Sequence, residues 1–357
     1  MSTDTQSAAD LQACVAMMKG GSRTFFAASR LLPPRVRTAA IALYAFCRVA
    51  DDLVDQAEPG DARPLQLLAQ RLDAIYAGTP QDHVEDHALS LVVQQYALPR
   101  HLLDALIEGF AWDAAGREYL RIEDVMAYGA RVAGSVGAMM CWIMGPRDEA
   151  TLARACELGV AMQLTNIARD VGADAALGRI YLPRQWLQEA GIDAHAWLQA
   201  PQFNAALGSV VERLLRQADQ LYAQGQTGIA TLPPDCRAAI LAASLIYAEI
   251  GQQLRREGLD SVSQRTVVST GRKLVLLASA WTQSRFIHMP ARGLAPLAQI
   301  EALVLGCRDH ASQVGPGGAG WFPNRAMPQR VEWMLELFER REHERLARRA
   351  PGPRHAR

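Results

Sequence analysis

Apolar residues return at helical spacing over long stretches of this chain, most clearly at 36–54, 152–174 and 238–254, where alanine and leucine dominate. The alternation that marks a half-buried strand is nearly absent. Residues 265–269 are the only short candidate, and the segments flanking them read as helices. Breakers separate the periodic stretches at Pro33-Pro34, Pro59-Gly60, Gly78 to Pro80, Pro99, Gly145-Pro146, Pro183, Pro201, Pro233-Pro234 and Pro290. The pattern predicts roughly eight to ten helices packed as one all-α domain over residues 1–290. Residues 291–357 read as a loop-rich extension. Within it, 315–320 (GPGGAG) is a loop, a charged amphipathic helix lies near 329–349, and 348–357 form a basic, disordered tail.

Two of the predicted helices carry the same unusual pattern. On the first, Tyr44, Arg48, Asp51 and Asp55 fall at i, i+4, i+7 and i+11, one stripe on a helix whose residues 39–46 hold no charge. On the second, Gln163, Asn166, Asp170 and Asp174 fall at i, i+3, i+7 and i+11, with Arg169 beside them. One such stripe alone reads as a solvated face with ion pairs one turn apart. Two matched stripes in apolar surroundings do not, because carboxylates one turn apart repel and the repulsion grows with burial. Facing each other, the two helices would line a cavity with oxygen donors at its mouth. That donor set suits Mg²⁺, which takes one or two carboxylates and completes its shell with water and phosphate oxygens. A diphosphate is the natural bridging group, and its departure would leave an allylic cation for the apolar walls and aromatic rings to shelter.

Composition removes several alternatives. The 37 basic and 37 acidic residues balance, which gives no electrostatic reason to expect nucleic acid. Six cysteines without a CxxC read as reduced thiols of a cytosolic protein. The first ten residues carry no secretory signal, and the longest uncharged run, 132–146, is too short to span a bilayer. His83 and His87 stand four apart, but the glutamate between them is misplaced for a zinc protease, and the segment reads as acidic and exposed. The GPGGAG run matches a dinucleotide fingerprint only formally, since no strand precedes it. The tryptophans read as packing residues, with Trp333 as a candidate membrane contact.

A series of motifs in order, from 20 to 276, resembles the squalene/phytoene synthase family, most closely its bacterial phytoene-forming members. Gly21-Ser22-Arg23-Thr24-Phe25 is similar to the family's Ser-x-Ser-Phe opening, with Thr24 in place of the second serine. Residues 43–55 are similar to its first aspartate-rich region, and Tyr128 to Gly137 to its Tyr…Val-Ala-Gly-x-Val-Gly signature. Residues 161–174, followed by Gly178-Arg179-Ile180-Tyr181-Leu182-Pro183, resemble the second aspartate-rich signature. Tyr247 to Gly251 and Arg265…Arg272-Lys273-Leu274 complete the set. Ala168 and Ala173 depart from the family's usual leucine and glutamate, and neither is a ligand position.

The resemblance implies a single-domain, isoprenoid-synthase-type helical bundle around a central cavity. It implies a prenyltransferase that joins two geranylgeranyl diphosphates head to head through a cyclopropylcarbinyl diphosphate, in carotenoid biosynthesis. By the same resemblance Asp51, Asp55, Asn166, Asp170 and Asp174 hold Mg²⁺, for which Mn²⁺ can substitute, and no nicotinamide cofactor is expected. Gly21, Ser22, Arg23, Thr24, Phe25, Tyr44, Arg48, Gln163, Arg169, Tyr181, Tyr247 and Lys273 bind prenyl diphosphate. Tyr128 stands with the four aspartates, Arg48 and Arg169 in the catalytic set. The small residues Ala28 and Ser29 leave room for a C20 tail. The expected setting is cytoplasmic, peripheral to the inner membrane face, with a downstream carotenoid desaturase as a partner. Two alternatives stay open: a farnesyl-diphosphate-using sister enzyme forming squalene, hydroxysqualene or dehydrosqualene, and a non-catalytic assembly-factor relative.

Overall fold

Helices start where the breakers stand. Helix α1 spans Thr3–Gly21; α2, Pro34–Asp55, opens on the second proline of Pro33-Pro34, where a missing N–H costs no helical bond. Then come α3 (Arg63–Tyr76), α4 (Val84–Tyr96), α5 (Arg100–Ala114) and α6 (Ile122–Gly129). A π-helical turn, Ala130–Gly134, runs from α6 straight into α7 (Ser135–Met144). Helix α8 (Glu149–Arg169) is capped by the Asp148 side chain, which accepts from the Thr151 N–H. Three six-residue helices follow: α9 (Val171–Ala176), α10 (Arg184–Glu189) and α11 (Ala194–Gln199). Long α12 (Ala205–Gln226) passes through a 3₁₀ turn, Thr227–Thr231, to α13 (Pro234–Arg256). The last are α14 (Thr270–Gln283) and, after the 3₁₀ turn Ala298–Ile300, α15 (Glu301–Val314).

This computed structural model describes residues 3–21, 26, 28–58, 61–287 and 295–314. Every regular element within them is helical, and residues 265–269 are irregular rather than a strand. The fifteen α-helices exceed the eight to ten expected because single-turn helices carry too few residues to show a period. The expected helix 152–174 also breaks, at Asp170. There the Gly172 N–H leaves the helical ladder and donates to the Ser261 carbonyl at 2.9 Å. Ser22, Arg23, Thr24 and Phe25, the 315–320 loop, the helix near 329–349 with Trp333, and the basic tail lie outside the described residues.

Helix α8 is the central element, packed against the π turn, α7, α12 and α13. Two glycines allow this. A Cβ on Gly137 would sit 2.2 Å from the Ala155 carbonyl oxygen, and one on Gly159 would sit 2.2 Å from that of Ala133. Any side chain at either position would drive the helices apart.

Residues 83–87 contradict the exposed acidic segment expected there. Glu85 and Asp86 are buried and share Arg71: its Nη2 donates to Glu85 Oε1 at 2.5 Å and to Asp86 Oδ1 at 2.6 Å. His87 Nδ1 lies 3.3 Å from Asp10 Oδ2. These charges join α1, α3 and α4, a structural role that a pattern of acidic letters does not announce. None of the six cysteines forms a disulfide. Trp142 and Trp186 are buried, as packing residues should be. Among the described residues no helix is long and apolar enough to cross a membrane.

Candidate active site

A cavity of about 800 Å³ runs through the bundle, walled by α2, α5, the π turn with α7, α8 and α13. One face of α2 lines it: Ala40, Leu43, Tyr44, Cys47, Arg48, Asp51 and Asp55. The apolar members come first and the charged ones last. On α8 the lining runs from Thr151 through Ala155, Leu158 and Met162 to Gln163, Asn166 and Asp170, and Asp174 on α9 continues it. Both helices therefore bring their C-terminal ends to the same mouth.

That placement opposes ordinary helix electrostatics. Carboxylates are favoured at helix N-termini and disfavoured at C-termini, where the backbone dipole is already negative. Here Asp51 and Asp55 sit in the last turn of α2, and Asp170 forms the C-cap of α8. Burial, and then the neighbouring Asp55, push the Asp51 carboxyl up to about 6. Burial, and then Asp170, push Asp174 up to about 7. Burial would raise Asp170 too, but the guanidinium groups of Arg169 and Arg265 outweigh it and hold that carboxyl below the usual range. Arg169 Nε donates to Asp170 Oδ1 at 2.8 Å and Arg265 Nε to the same oxygen at 2.7 Å. Arg179 Nη1 donates to Asp55 Oδ1 at 2.8 Å, and Arg48 bridges Asp51 and Asp52 at 3.4 and 2.5 Å. The mouth thus holds acids and arginines in near balance, with Asp51 and Asp174 the carboxyls left short of positive charge.

Of the residues singled out in the sequence, Gly21, Tyr44, Arg48, Asp51, Asp55, Tyr128, Gln163, Asn166, Arg169, Asp170, Asp174, Tyr181 and Tyr247 all line this one cavity. Gly21 abuts the Tyr44 hydroxyl, which a Cβ would approach to 2.4 Å. Lys273, in the first turn of α14, does not line it. Ala28 and Ser29 do, both buried, and the Ser29 hydroxyl is tied back to the Phe26 carbonyl at 2.9 Å.

Sequence reading missed Asp113. It lines the cavity and accepts hydrogen bonds from both the Tyr128 and Tyr181 hydroxyls, each at 2.7 Å. Those two rings stack, with centroids 5.0 Å apart, and Tyr119 stacks on Tyr181. Burial raises the Asp113 carboxyl, with the two phenols opposing that shift. Asp113 has no acidic residue three or four positions away on α5, so only the fold could show that two distant tyrosines converge on it. Arg179 and Arg265 stood inside the motif series without a role, and the structure ties them to Asp55 and Asp170.

A hard cation fits this donor set. Its donors are oxygens, from carboxylates and the Asn166 amide, and the raised carboxyls mark unmet demand for positive charge. Among the described residues no group of three or more His, Cys, Asp or Glu could hold a metal alone.

Against known proteins, residues 18–273 match the family model described as squalene/phytoene synthase. The phytoene synthase of Rhodobacter capsulatus is 51% identical over 76% of this chain and 81% of its own length. The 15-cis-phytoene synthase of a Paracoccus species is 40% identical over 77% of this chain and 92% of its own. Among solved structures, a dehydrosqualene synthase in complex with ligand aligns with a TM-score of 0.72 at 31% identity, covering 79% of this chain and 99% of its own.

The raised carboxyls give a pH signature with an inverted sign. Unfolded aspartates lose their protons near pH 4, whereas folded Asp174 keeps its proton up to about 7. The folded state therefore binds more protons across that window, and stability falls as pH rises through it. In metal-free buffer Asp174→Asn should melt above wild type at pH 8, with the gap narrowing towards pH 5 and closing near pH 4. Thermal melts over that range check this; a gap independent of pH would refute it.

Proposed function

Since the chain belongs to the squalene/phytoene synthase family, we infer that it is a prenyltransferase that joins two geranylgeranyl diphosphates head to head into phytoene, for carotenoid biosynthesis. The observation that carries this reading is one cavity whose mouth is set with four aspartates, from the C-terminal ends of α2 and α8 and from α9, in a chain 51% identical to a phytoene synthase. The dehydrosqualene synthase neighbour, at 31%, is the more distant likeness and shares the same bundle.

In this reading Asp51, Asp55, Asn166, Asp170 and Asp174 hold Mg²⁺, which when bound polarises the diphosphate as a leaving group. Arg48, Arg169, Arg179 and Arg265, paired with these carboxylates, are placed to transfer their charge to an incoming diphosphate. The apolar cavity walls exclude water from the cation left behind. Asp113 holds the Tyr128 and Tyr181 rings in fixed orientation, so that their faces stabilise positive charge without reorganising.

Purified protein supplied with Mg²⁺ and geranylgeranyl diphosphate should release phytoene, identified by chromatography and mass spectrometry. Asp51→Asn, Asp55→Asn or Asp170→Asn should each lower kcat by about 10²-fold or more while the fold persists. Full turnover in EDTA would sink the metal assignment, and a hydrocarbon formed only from farnesyl diphosphate would sink the substrate.

Tail length has its own test. Ala28 and Ser29 lie on the cavity wall and their small side chains leave the space open. Ser29→Phe should move kcat/KM preference towards farnesyl diphosphate by roughly tenfold, and an unchanged ratio of the two substrates would refute the assignment.

The apolar substrate and product also support peripheral attachment to the cytoplasmic membrane face. Leu177, on the cavity wall next to the acidic mouth, is 64% exposed, so apolar surface reaches the opening. Full-length protein should float with anionic liposomes; recovery wholly in the lipid-free fraction would rule attachment out.

A further inference from the structure

Residues 295–314 lie beyond the part matched by the family model, and they pack where the cavity ends. The Leu297 N–H donates to Glu157 Oε1 at 3.0 Å. Gln224 Nε2 donates to the same oxygen at 3.1 Å and to the Ala295 carbonyl at 2.8 Å. The second carboxylate oxygen of Glu157 lies 2.9 Å from Arg154 Nη1. Glu157 is 0% exposed and Arg154 8%, so this is a buried ion pair, and the other carboxylate oxygen of Glu157 accepts from the segment and from Gln224.

Arg154 in turn supports the cavity's far end. Gly228 lies against its side chain, where an added Cβ would come within 2.4 Å of Arg154 Cβ. Gly225 lies over the Arg154 carbonyl and Leu158. Gly225, Gly228, Ile229, Leu232 and Thr151 line the cavity there. The Thr151 hydroxyl meets that of Thr231 at 2.8 Å, pinning the 3₁₀ turn to the first turn of α8.

The distance along α8 gives this floor a meaning. Lining residues on that helix run from Asp170 at the mouth to Thr151 at the floor, about 28 Å at the helical rise. One turn of about 5 Å at the mouth is taken by the diphosphate, leaving roughly 23 Å for the tail. With C–C bonds of about 1.5 Å, an extended isoprene unit spans roughly 5 Å. Four units fit and a fifth meets the floor.

We propose that residues 295–314 are a buttress which, through Glu157 and Arg154, fixes the floor of the tail tunnel and so sets the longest prenyl diphosphate accepted. This rests on the prenyl-diphosphate reading above. Glu157 and Gln224 are positioning residues: neither lines the cavity, and each acts through the floor. A role in stability alone would lower turnover of all substrates in proportion. A buttress predicts a change in their ratio.

The test uses the full chain and compares kcat/KM for geranylgeranyl diphosphate with that for the C25 geranylfarnesyl diphosphate. Wild type should favour the C20 substrate, and Glu157→Gln should narrow that preference by about tenfold. Gln224→Ala, which removes one hydrogen bond to the Glu157 carboxylate and one to the Ala295 carbonyl but leaves the ion pair, should shift the ratio in the same direction by less. It serves as the second variant should loss of the buried charge prevent folding. Active variants with an unchanged C25-to-C20 ratio would overturn the buttress while leaving the prenyltransferase reading intact. A wild type that condenses neither diphosphate would overturn both.

Discussion

Carboxylates gathered at the C-terminal ends of two helices are the constraint that organises this molecule. Left to local preference, Asp51, Asp55 and Asp170 would sit at helix starts, where backbone N–H groups and the dipole favour them. At these helix ends burial and a neighbouring acid push Asp51 and Asp174 up in pKa, while Asp55 and Asp170 are each met by an arginine from another element. Arg179 reaches Asp55 across 124 residues of sequence, and Arg265 reaches Asp170 across 95. The same fold that creates the electrostatic tension supplies charges that can move from carboxylate to ligand.

The frame holding those ends in place is built from close backbone contact. Helix α8 carries both ends of the cavity, the acidic mouth and the Thr151 floor, on one continuous element, so their separation is a property of a rigid rod. Gly137 and Gly159 let that rod lie backbone to backbone against the π turn and α7. The Tyr128 ring stands at the junction of α6 with the π turn, an irregularity often found where a helix must aim a side chain. Far from the mouth, the Arg71–Glu85–Asp86 cluster shows what charge does when its work is structural. It is buried and paired within itself, and none of its members lines the cavity.

Asp113 links the two kinds of site. It is a buried carboxylate with a raised pKa, like Asp51 and Asp174, yet its oxygens are already taken by two phenols. Its geometry orders rings rather than waiting for a cation. Tyr128 and Tyr181, stacked on each other and tied to one acid, form a patch of cavity wall that is aromatic in face and fixed in position, with Tyr119 packed against both rings. Such a surface suits chemistry that generates and moves positive charge on hydrocarbon.

Much of this was written in local spacing. Helical periodicity showed an all-α chain, and the intervals among Tyr44, Arg48, Asp51 and Asp55, and among Gln163, Asn166, Asp170 and Asp174, placed each set on one face, because an α-helix repeats every 3.6 residues wherever it occurs. What those intervals cannot carry is anything set by contact between distant segments. The break at Asp170 arises because Ser261 draws the Gly172 N–H away. The burial of Glu85 and Asp86 depends on Arg71 arriving from α3, and the role of Asp113 on two tyrosines from elsewhere in the bundle. Lys273 fits a motif series but lies off the cavity wall, since order along the chain does not decide which way a helix turns when it packs. Side-chain period is a property of the backbone and is legible in the sequence. Partnership is a property of packing, and only the tertiary structure decides it.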